Sequence, residues 1–295
     1  QPQHQVILSP DLNVEGAVDF LTSDGRRLRS PPMGIALLDV ATGQSVMLAE
    51  TKPAKAELVP PTQVIYRDAF DGLSVDVCYT MSRAGFEQDV IIREQLPRTR
   101  LASLGLAPES TRLVVMTEFF EHPKPSKQDR RLSSHAGQDL PDEWLSFGEM
   151  ALGPGRTFAL GDEPHEAAPP IGRTFEQLDG RQFLLEAVDY EGLAPLLDSL
   201  PDQGNLARAP QRVRRTAALG KDPRLRLPIP QTLEPVRQAG LFANVLHGNR
   251  QPLFHNRRFC VRQNFLALFH FLRAQFCAVF RGHAEVFQIH HLVHF

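Results

Sequence analysis

Four carboxylates gather in one stretch of the chain and are the first residues whose types and spacing could do chemistry. They are Asp76, Glu87, Asp89 and Glu94, and the middle two are separated by a single residue. Residues two apart in a β-strand point to the same face. Two carboxylates held roughly 5–10 Å apart could hydrolyse a glycosidic bond, and clustered carboxylates could bind Ca²⁺. We favour a third interpretation, the solvated face of an amphipathic strand, because charges at period two usually have that origin.

Three further motifs resemble functional sites but lack a necessary part. The segment "RDAFDG" places Asp68 and Asp71 beside a turn, with too few oxygen ligands at the spacing of a calcium loop. The glycine-rich "GPGRTFALG" matches neither common phosphate-binding pattern and is interpreted as a turn. In "HEAAP", which begins at His165, Pro169 stands where a zinc protease motif needs its second histidine.

Aromatic and sulfur side chains give similarly limited signals. Trp144, Phe147 and Phe158 could form a platform for a sugar ring, but aromatics in short strands more often belong to the core. The chain has three cysteines, an odd and low count that argues against a disulfide framework. Cys78 lies in an apolar strand pattern, which indicates a buried, unreactive thiol.

The last segment, "HAEVFQIHHLVHF", is rich in histidine and phenylalanine. If it were helical, His290 and His294 would lie one turn apart and could bind a metal as a pair. No third ligand stands at a motif spacing, so we expect no metal site. We therefore assign no catalytic, cofactor-binding or metal-binding residue, and we expect no cofactor.

The elements that must position these residues are short strands. "LSVDVCYTMSRAGFEQDVIIRE" alternates polar and apolar residues on both sides of a turn and predicts a hairpin. Similar patterns predict hairpins or strands in "MGIALLDVATGQSVMLAE", "ELVPPTQVIYRDAF", "TRLVVMTEFF", "WLSFGEMALGPGRTFALG" and "RTFEQLDGRQFLLEAVDY". One short helix is expected in "YEGLAPLLDSLPDQG". The predicted core consists of Ile35, Leu37, Val64, Ile65, Val75, Val77, Tyr79, Phe86, Val90, Ile92, Val114, Met116, Phe183 and Leu185.

Composition changes abruptly after about Asn205. The 295-residue chain has a net charge of −2, yet residues 205–295 carry 14 Lys and Arg against 3 Asp and Glu. They also hold ten of the 19 phenylalanines and seven of the 11 histidines, and no serine. No ordinary domain class has that profile. We hypothesise that 205–295 is an out-of-frame segment; the rival is a genuine basic tail with a helical stripe at Phe265, Phe269, Leu272, Phe276 and Val279.

These patterns predict an all-β fold: an antiparallel β-sandwich-like domain of short hairpins, with a poorly specified C-terminal tail for which a helix is one open interpretation. We predict a polar N-terminal segment at 1–30 and a β-domain at 31–204. Within that domain, the polar residues 121–143 are expected to form a mobile loop. Residues 205–295 are the basic tail and are not expected to be a true domain.

Several of these segments resemble a known group of proteins. "VIYRDAFDGLSVDVCYT", "AGFEQDVIIREQLP", "TRLVVMTEFFE", "LSFGEMALGPGRTFALG" and "GRQFLLEAV" are similar to the N-terminal β-rich region of large secreted bacterial proteins, some with RHS/YD-type repeats. The resemblance covers roughly residues 29–200. It implies an extracellular or cell-surface setting, a chain that is a fragment of a larger protein, and no assigned catalytic residue.

We therefore expect a non-catalytic structural or recognition module of a larger secreted or cell-surface protein. Its partners would be other extracellular modules of the same chain or glycans. One alternative is a carbohydrate-active or glycan-binding domain that uses the acidic hairpin face. A second is a nucleic-acid or membrane-surface arm formed by the basic tail. Nucleic acid is the less expected partner because no recognisable RNA-binding module accompanies the basic residues, and a transmembrane helix is not expected because arginines interrupt the apolar run.

Overall fold

The computed structural model describes residues 4–22, 24–82, 85–134, 139–148, 150–159, 168–204, 218–219, 226–235 and 287–294. The strands of the first part of the chain are β1 (His4–Leu8), β2 (Val14–Glu15), β3 (Val18–Thr22), β4 (Arg27–Ser30), β5 (Pro32–Asp39), β6 (Ser45–Glu50), β7 (Ala56–Val59), β8 (Gln63–Tyr66), β9 (Val75–Met81) and β10 (Gly85–Ile92). The helices are α1 (Arg98–Ser103), a 3-10 turn (Pro108–Ser110) and α2 (Tyr190–Asp198).

The remaining strands are β11 (Thr111–Glu118), β12 (Ser126–Leu132), β13 (Leu140–Phe147), β14 (Met150–Leu152), β15 (Gly155–Ala159), β16 (Pro170–Leu178), β17 (Arg181–Asp189), β18 (Ala218–Leu219), β19 (Arg226–Leu227), β20 (Glu234–Pro235) and β21 (Phe287–His294). The fold class is all-β, as predicted. The expected hairpins and the expected helix α2 are present, with Pro195 inside the helix.

One fourteen-stranded antiparallel sheet dominates the architecture. Its main path runs β6-β5-β11-β17-β16-β15-β21-β10-β9-β8-β7, and β12, β13 and β14 branch from it at β21. A second sheet of order β1-β3-β4 packs on its inner face. Sheet packed on sheet is the arrangement of a β-sandwich-like domain.

The turns follow from local chemistry. Asp179 and Gly180 connect β16 to β17 and both have positive φ, 51° and 78°. That is the backbone of the tight hairpin turn for which Asp-Gly is a strong signal. Pro60 and Pro61, joined by a cis peptide bond, separate β7 from β8.

The two sheets and the helices α1 and α2 all contribute residues to the main core. The predicted core residues are all buried. They do not form one cluster, however. Val114, Met116, Phe183 and Leu185 pack in a second cluster on the opposite face of the large sheet. The sheet is therefore apolar on both faces where β5, β6, β11 and β17 lie, and alternation alone could not reveal which residues share a cluster.

The N-terminal region differs from its prediction as a polar segment. Val6, Leu8, Val18, Phe20 and Leu28 come from β1, β3 and β4 and are buried in the main core. Each of these strands has only four or five residues and contributes at most two apolar side chains to the main core, which is too short a run for a clear pattern. The folded unit thus begins well before residue 31.

The segment expected to be a mobile loop, 121–143, contains β12 and the start of β13, which pair as a hairpin. Every residue of β12 except Leu132 is exposed. A strand without an apolar face gives no periodic signal, and charged residues on an exposed edge strand discourage pairing with other chains. The loop prediction was therefore wrong for Ser126–Leu132 because backbone pairing, not burial, forms this strand.

Candidate functional site

The candidate carboxylates lie on the hairpin β9–β10, whose two faces differ. Val75, Val77 and Tyr79 point into the main core. The opposite face, here called the carboxylate face, carries Asp76, Cys78, Thr80, Glu87, Asp89 and Ile91. Antiparallel pairing sets Asp89 opposite Cys78 and Glu87 opposite Thr80. The structure thus brings three of the four predicted carboxylates to one face.

Asp76 is held by a network of hydrogen bonds and charges. The backbone N–H of Asp68 donates to its Oδ1 at 2.7 Å. The Arg93 guanidinium lies 2.9 Å from Oδ1, and that of Arg67 lies 3.8 Å from Oδ2. Burial raises the pKa of Asp76, and the N–H and the two arginines offset this effect only in part. Asp76 therefore acts as an internal link between the β8–β9 turn and the end of β10.

The fourth carboxylate, Glu94, serves a different part of the molecule. Its Oε2 accepts a hydrogen bond from the backbone N–H of Ser74 at 3.1 Å. The Ser74 hydroxyl donates to Gln203 Oε1 at 2.7 Å, and Gln203 donates to the Arg93 carbonyl at 3.1 Å. Glu94 thus helps attach the chain that follows α2, and the four carboxylates do not form a single site.

The expectation that the carboxylates form a solvated strand face is wrong for Asp76 and Asp89, which are only 3% and 5% exposed. Glu87 is half-buried. The physical reason is a small apolar cluster on the same face, formed by Ile65, Cys78 and Ile91. Burial raises the pKa of the Cys78 thiol to about 12, which agrees with the prediction of an unreactive cysteine.

The other motifs fall in separate places. Asp68 has a positive φ of 49°, and Asp71 Oδ1 accepts the backbone N–H of Glu50 at 2.8 Å, as expected of turn residues. Phe147 is buried in the core, whereas Trp144 is partly exposed with the Arg130 guanidinium 4.4 Å from its ring centre. These aromatics do not form one platform. The "HEAAP" motif begins outside the described residues.

The described tail histidines, His290, His291 and His294, lie in the strand β21 and not in a helix. β21 runs between β10 and β15, with His290 opposite both Asp89 and Arg156. In a strand, residues four apart are separated by about 13 Å along the chain. His290 and His294 are therefore too far apart for the helical metal pair. The helical stripe expected at 265–279 lies outside the described residues.

Sequence reasoning missed the buried ion pairs. The side chains of Arg173 and Asp142 are 0% and 4% exposed, and Arg173 Nε lies 2.9 Å from Asp142 Oδ1. Arg112 pairs with Asp189 at 2.9 Å. One signal was available, because Arg173 alternates with Ile171 and Phe175 on the core side of β16 and an inward arginine needs a partner.

Within the described segments, no three His, Cys, Asp or Glu side chains converge in a way that could hold a metal ion. No family model, no curated protein and no solved structure matches this chain. Among the residues described above, neither helix combines the length and apolar character needed to cross a bilayer.

Proposed function

We propose that the chain is a non-catalytic structural or recognition module of a larger secreted or cell-surface bacterial protein. The observation that carries the proposal is that several of its buried carboxylates are paired with arginines. Asp76, Asp142, Asp189 and Glu118 each pair with an arginine on another element or on the neighbouring strand. These pairs link elements that are separate in the sequence.

The burial of the hairpin carboxylates supports the same proposal, because a substrate could not easily reach them. A general acid or base must come within hydrogen-bond reach of the proton that it transfers. Asp76 and Asp89 are almost fully buried, and Asp76 already receives a backbone hydrogen bond and faces two guanidinium groups. These contacts fit a structural role better than proton transfer to a sugar.

The extracellular setting and the larger parent protein rest on the sequence resemblance over roughly residues 29–200. The exposed β12–β13 hairpin is compatible with a module that contacts neighbouring domains or glycans. It places Arg130 over Trp144 at a solvent-facing edge, and such amphipathic pairs are common at interfaces.

A carbohydrate-active domain is the second candidate function, and one observation favours it. Glu87 and Asp89 share a face, about 6.5–7 Å apart along the strand. This is the spacing of their backbone positions, and side chains on such positions could bring their carboxyl groups to the separations of about 5–9.5 Å that glycoside hydrolases use. Glu87 is only half-buried, so it is the residue of the pair that a ligand could reach.

A screen of the full chain for glycan binding and for hydrolysis of chromogenic glycosides separates the two functions. The matched variants are Glu87→Gln and Asp89→Asn, which preserve shape and remove charge. The proposal expects no turnover that depends on either residue. Turnover by the wild type that disappears in a variant with an unchanged circular dichroism spectrum would establish the enzyme instead.

A further inference from the structure

The second apolar face of the large sheet is covered by one extended segment from the C-terminal part of the chain. This segment, Arg226–Pro235, is here called the strap. Leu227 is fully buried and Leu233 is 9% exposed in the same cluster as the sheet residues beneath them. The face beneath it, the methionine face, consists of Met33, Ala36, Leu38, Met47, Val114, Met116, Leu178, Phe183 and Leu185.

Polar contacts hold the strap through its backbone. Arg181 Nη1 donates to the Pro230 carbonyl at 2.6 Å, and Glu118 fixes Arg181 by accepting from its Nε at 2.7 Å. The next residue, Gln231, donates its backbone N–H to Glu50 Oε1 at 3.0 Å. The strap ends in a short parallel pairing of β20 with β2.

The strap has the features of a bound peptide. Its prolines at 228 and 230 lack an N–H group and favour an extended backbone. The residues between β19 and β20 therefore lie on the face of the large sheet without joining its ladder, although β19 pairs with β18 and β20 pairs with β2. In complexes with extended peptides, main-chain hydrogen bonds contribute affinity and the pockets that receive the side chains give specificity. Three of the five methionines of the chain lie beneath it, and methionine-rich surfaces adapt to peptide ligands.

We infer that the methionine face is a binding site for an extended, proline-containing peptide, and that the strap is its occupant in this chain. The recognised features are two leucines six positions apart, a carbonyl for Arg181 and an N–H for Glu50. Twenty-one residues separate Gly204 from the strap, and two of them, Ala218 and Leu219, form β18 and pair with β19 at the start of the strap. This inference rests on the proposed function, because it names the kind of partner that the module recognises.

Cutting the chain on both sides of the strap tests the inference. Protease recognition sites are inserted within 206–216 and within 237–246 of the full chain, outside the strap. After cleavage, a fluorescent synthetic peptide of residues 218–235, which includes β18 together with its pairing partner β19, is added in excess and its anisotropy is followed. We expect the labelled peptide to replace the strap. The same peptide with aspartate at positions 227 and 233 should bind at least tenfold more weakly.

Two protein variants make the test specific. Arg181→Ala should weaken the labelled peptide at least tenfold, and Arg131→Ala, at an exposed arginine, should not change its affinity. A cleaved chain that keeps its β spectrum but never binds the peptide would overturn the inference. Unfolding upon cleavage would also overturn it, because the strap would then be part of the core. Neither outcome affects the hydrolysis screen, which tests the proposed function separately.

Discussion

Replacing Arg173 with methionine should be among the most damaging single changes in the molecule. The arginine is fully buried and binds both carboxylate oxygens of Asp142 as well as the carbonyl of Leu152 at 2.9 Å and that of Gly153. Removing one partner of a buried pair typically costs about 3–5 kcal/mol, since the remaining charge stays buried without compensation. For a domain of this size that loss lowers the melting temperature by about 6–20 °C.

Urea unfolding followed by circular dichroism measures this loss of free energy of unfolding. The matched control is Arg131→Met, because Arg131 is 80% exposed and lies 3.5 Å from an exposed Asp139; it should change nothing measurable. Replacing both buried partners, Asp142→Leu with Arg173→Met, should recover much of the loss. If Arg173→Met costs no more than Arg131→Met, the account of buried charges as links between strands is refuted.

Three further predictions concern single residues. Burial lowers the pKa of His4, so the unfolded state binds the proton at a higher pH than the folded state, and the free energy of unfolding should fall as pH drops below about 6.5. In His4→Leu, the difference in free energy of unfolding between pH 8 and pH 5 should be smaller than in the wild type. An equal difference in the two proteins would contradict the assignment. Cys78, with a pKa of about 12, should react with a thiol reagent only after unfolding in a variant whose other cysteines are alanine; rapid labelling of the native protein would show that it is accessible. Trypsin should cut after Arg131 before it cuts after Lys127, whose Nζ is bound to a carboxylate at 2.7 Å and a carbonyl at 2.6 Å; mass spectrometry of early fragments decides the order.

Period-two patterns predicted most of the sheet because they report a strand with one buried face. They succeeded for the hairpin β9–β10 and for the Asp179–Gly180 turn, where local chemistry and tertiary packing agree. They failed for Ser126–Leu132, which has no apolar face, and for Asp76, whose face is covered although its neighbours in sequence suggested solvent. Alternation identifies residues that share a face of a sheet, but it does not show whether solvent or another part of the chain covers that face.

Composition likewise could not predict how residues 205–295 contact the rest of the chain. Composition separated 205–295 from the β-domain, and the hypothesis of an out-of-frame segment stays a prediction for the nucleotide sequence to decide. The described residues of this part nevertheless contact the β-domain, since Leu227 and Leu233 are buried on the large sheet and β21 pairs with β10. A two-leucine anchor spaced by prolines has no periodicity, so no sequence pattern could have located it.

We claim that Asp76 and Glu94, near the ends of the β9–β10 hairpin, stabilise the fold through their contacts with other elements. A double-mutant cycle on Asp76 and Arg93 tests it most directly, using Asp76→Asn, Arg93→Met and the double variant in urea unfolding at pH 7. Because the Arg93 side chain is 30% exposed, we expect a favourable coupling free energy in the lower half of the range of about 0.5–3 kcal/mol. Effects that add within about 0.3 kcal/mol would show that the pair does not stabilise the fold, and would contradict the claim.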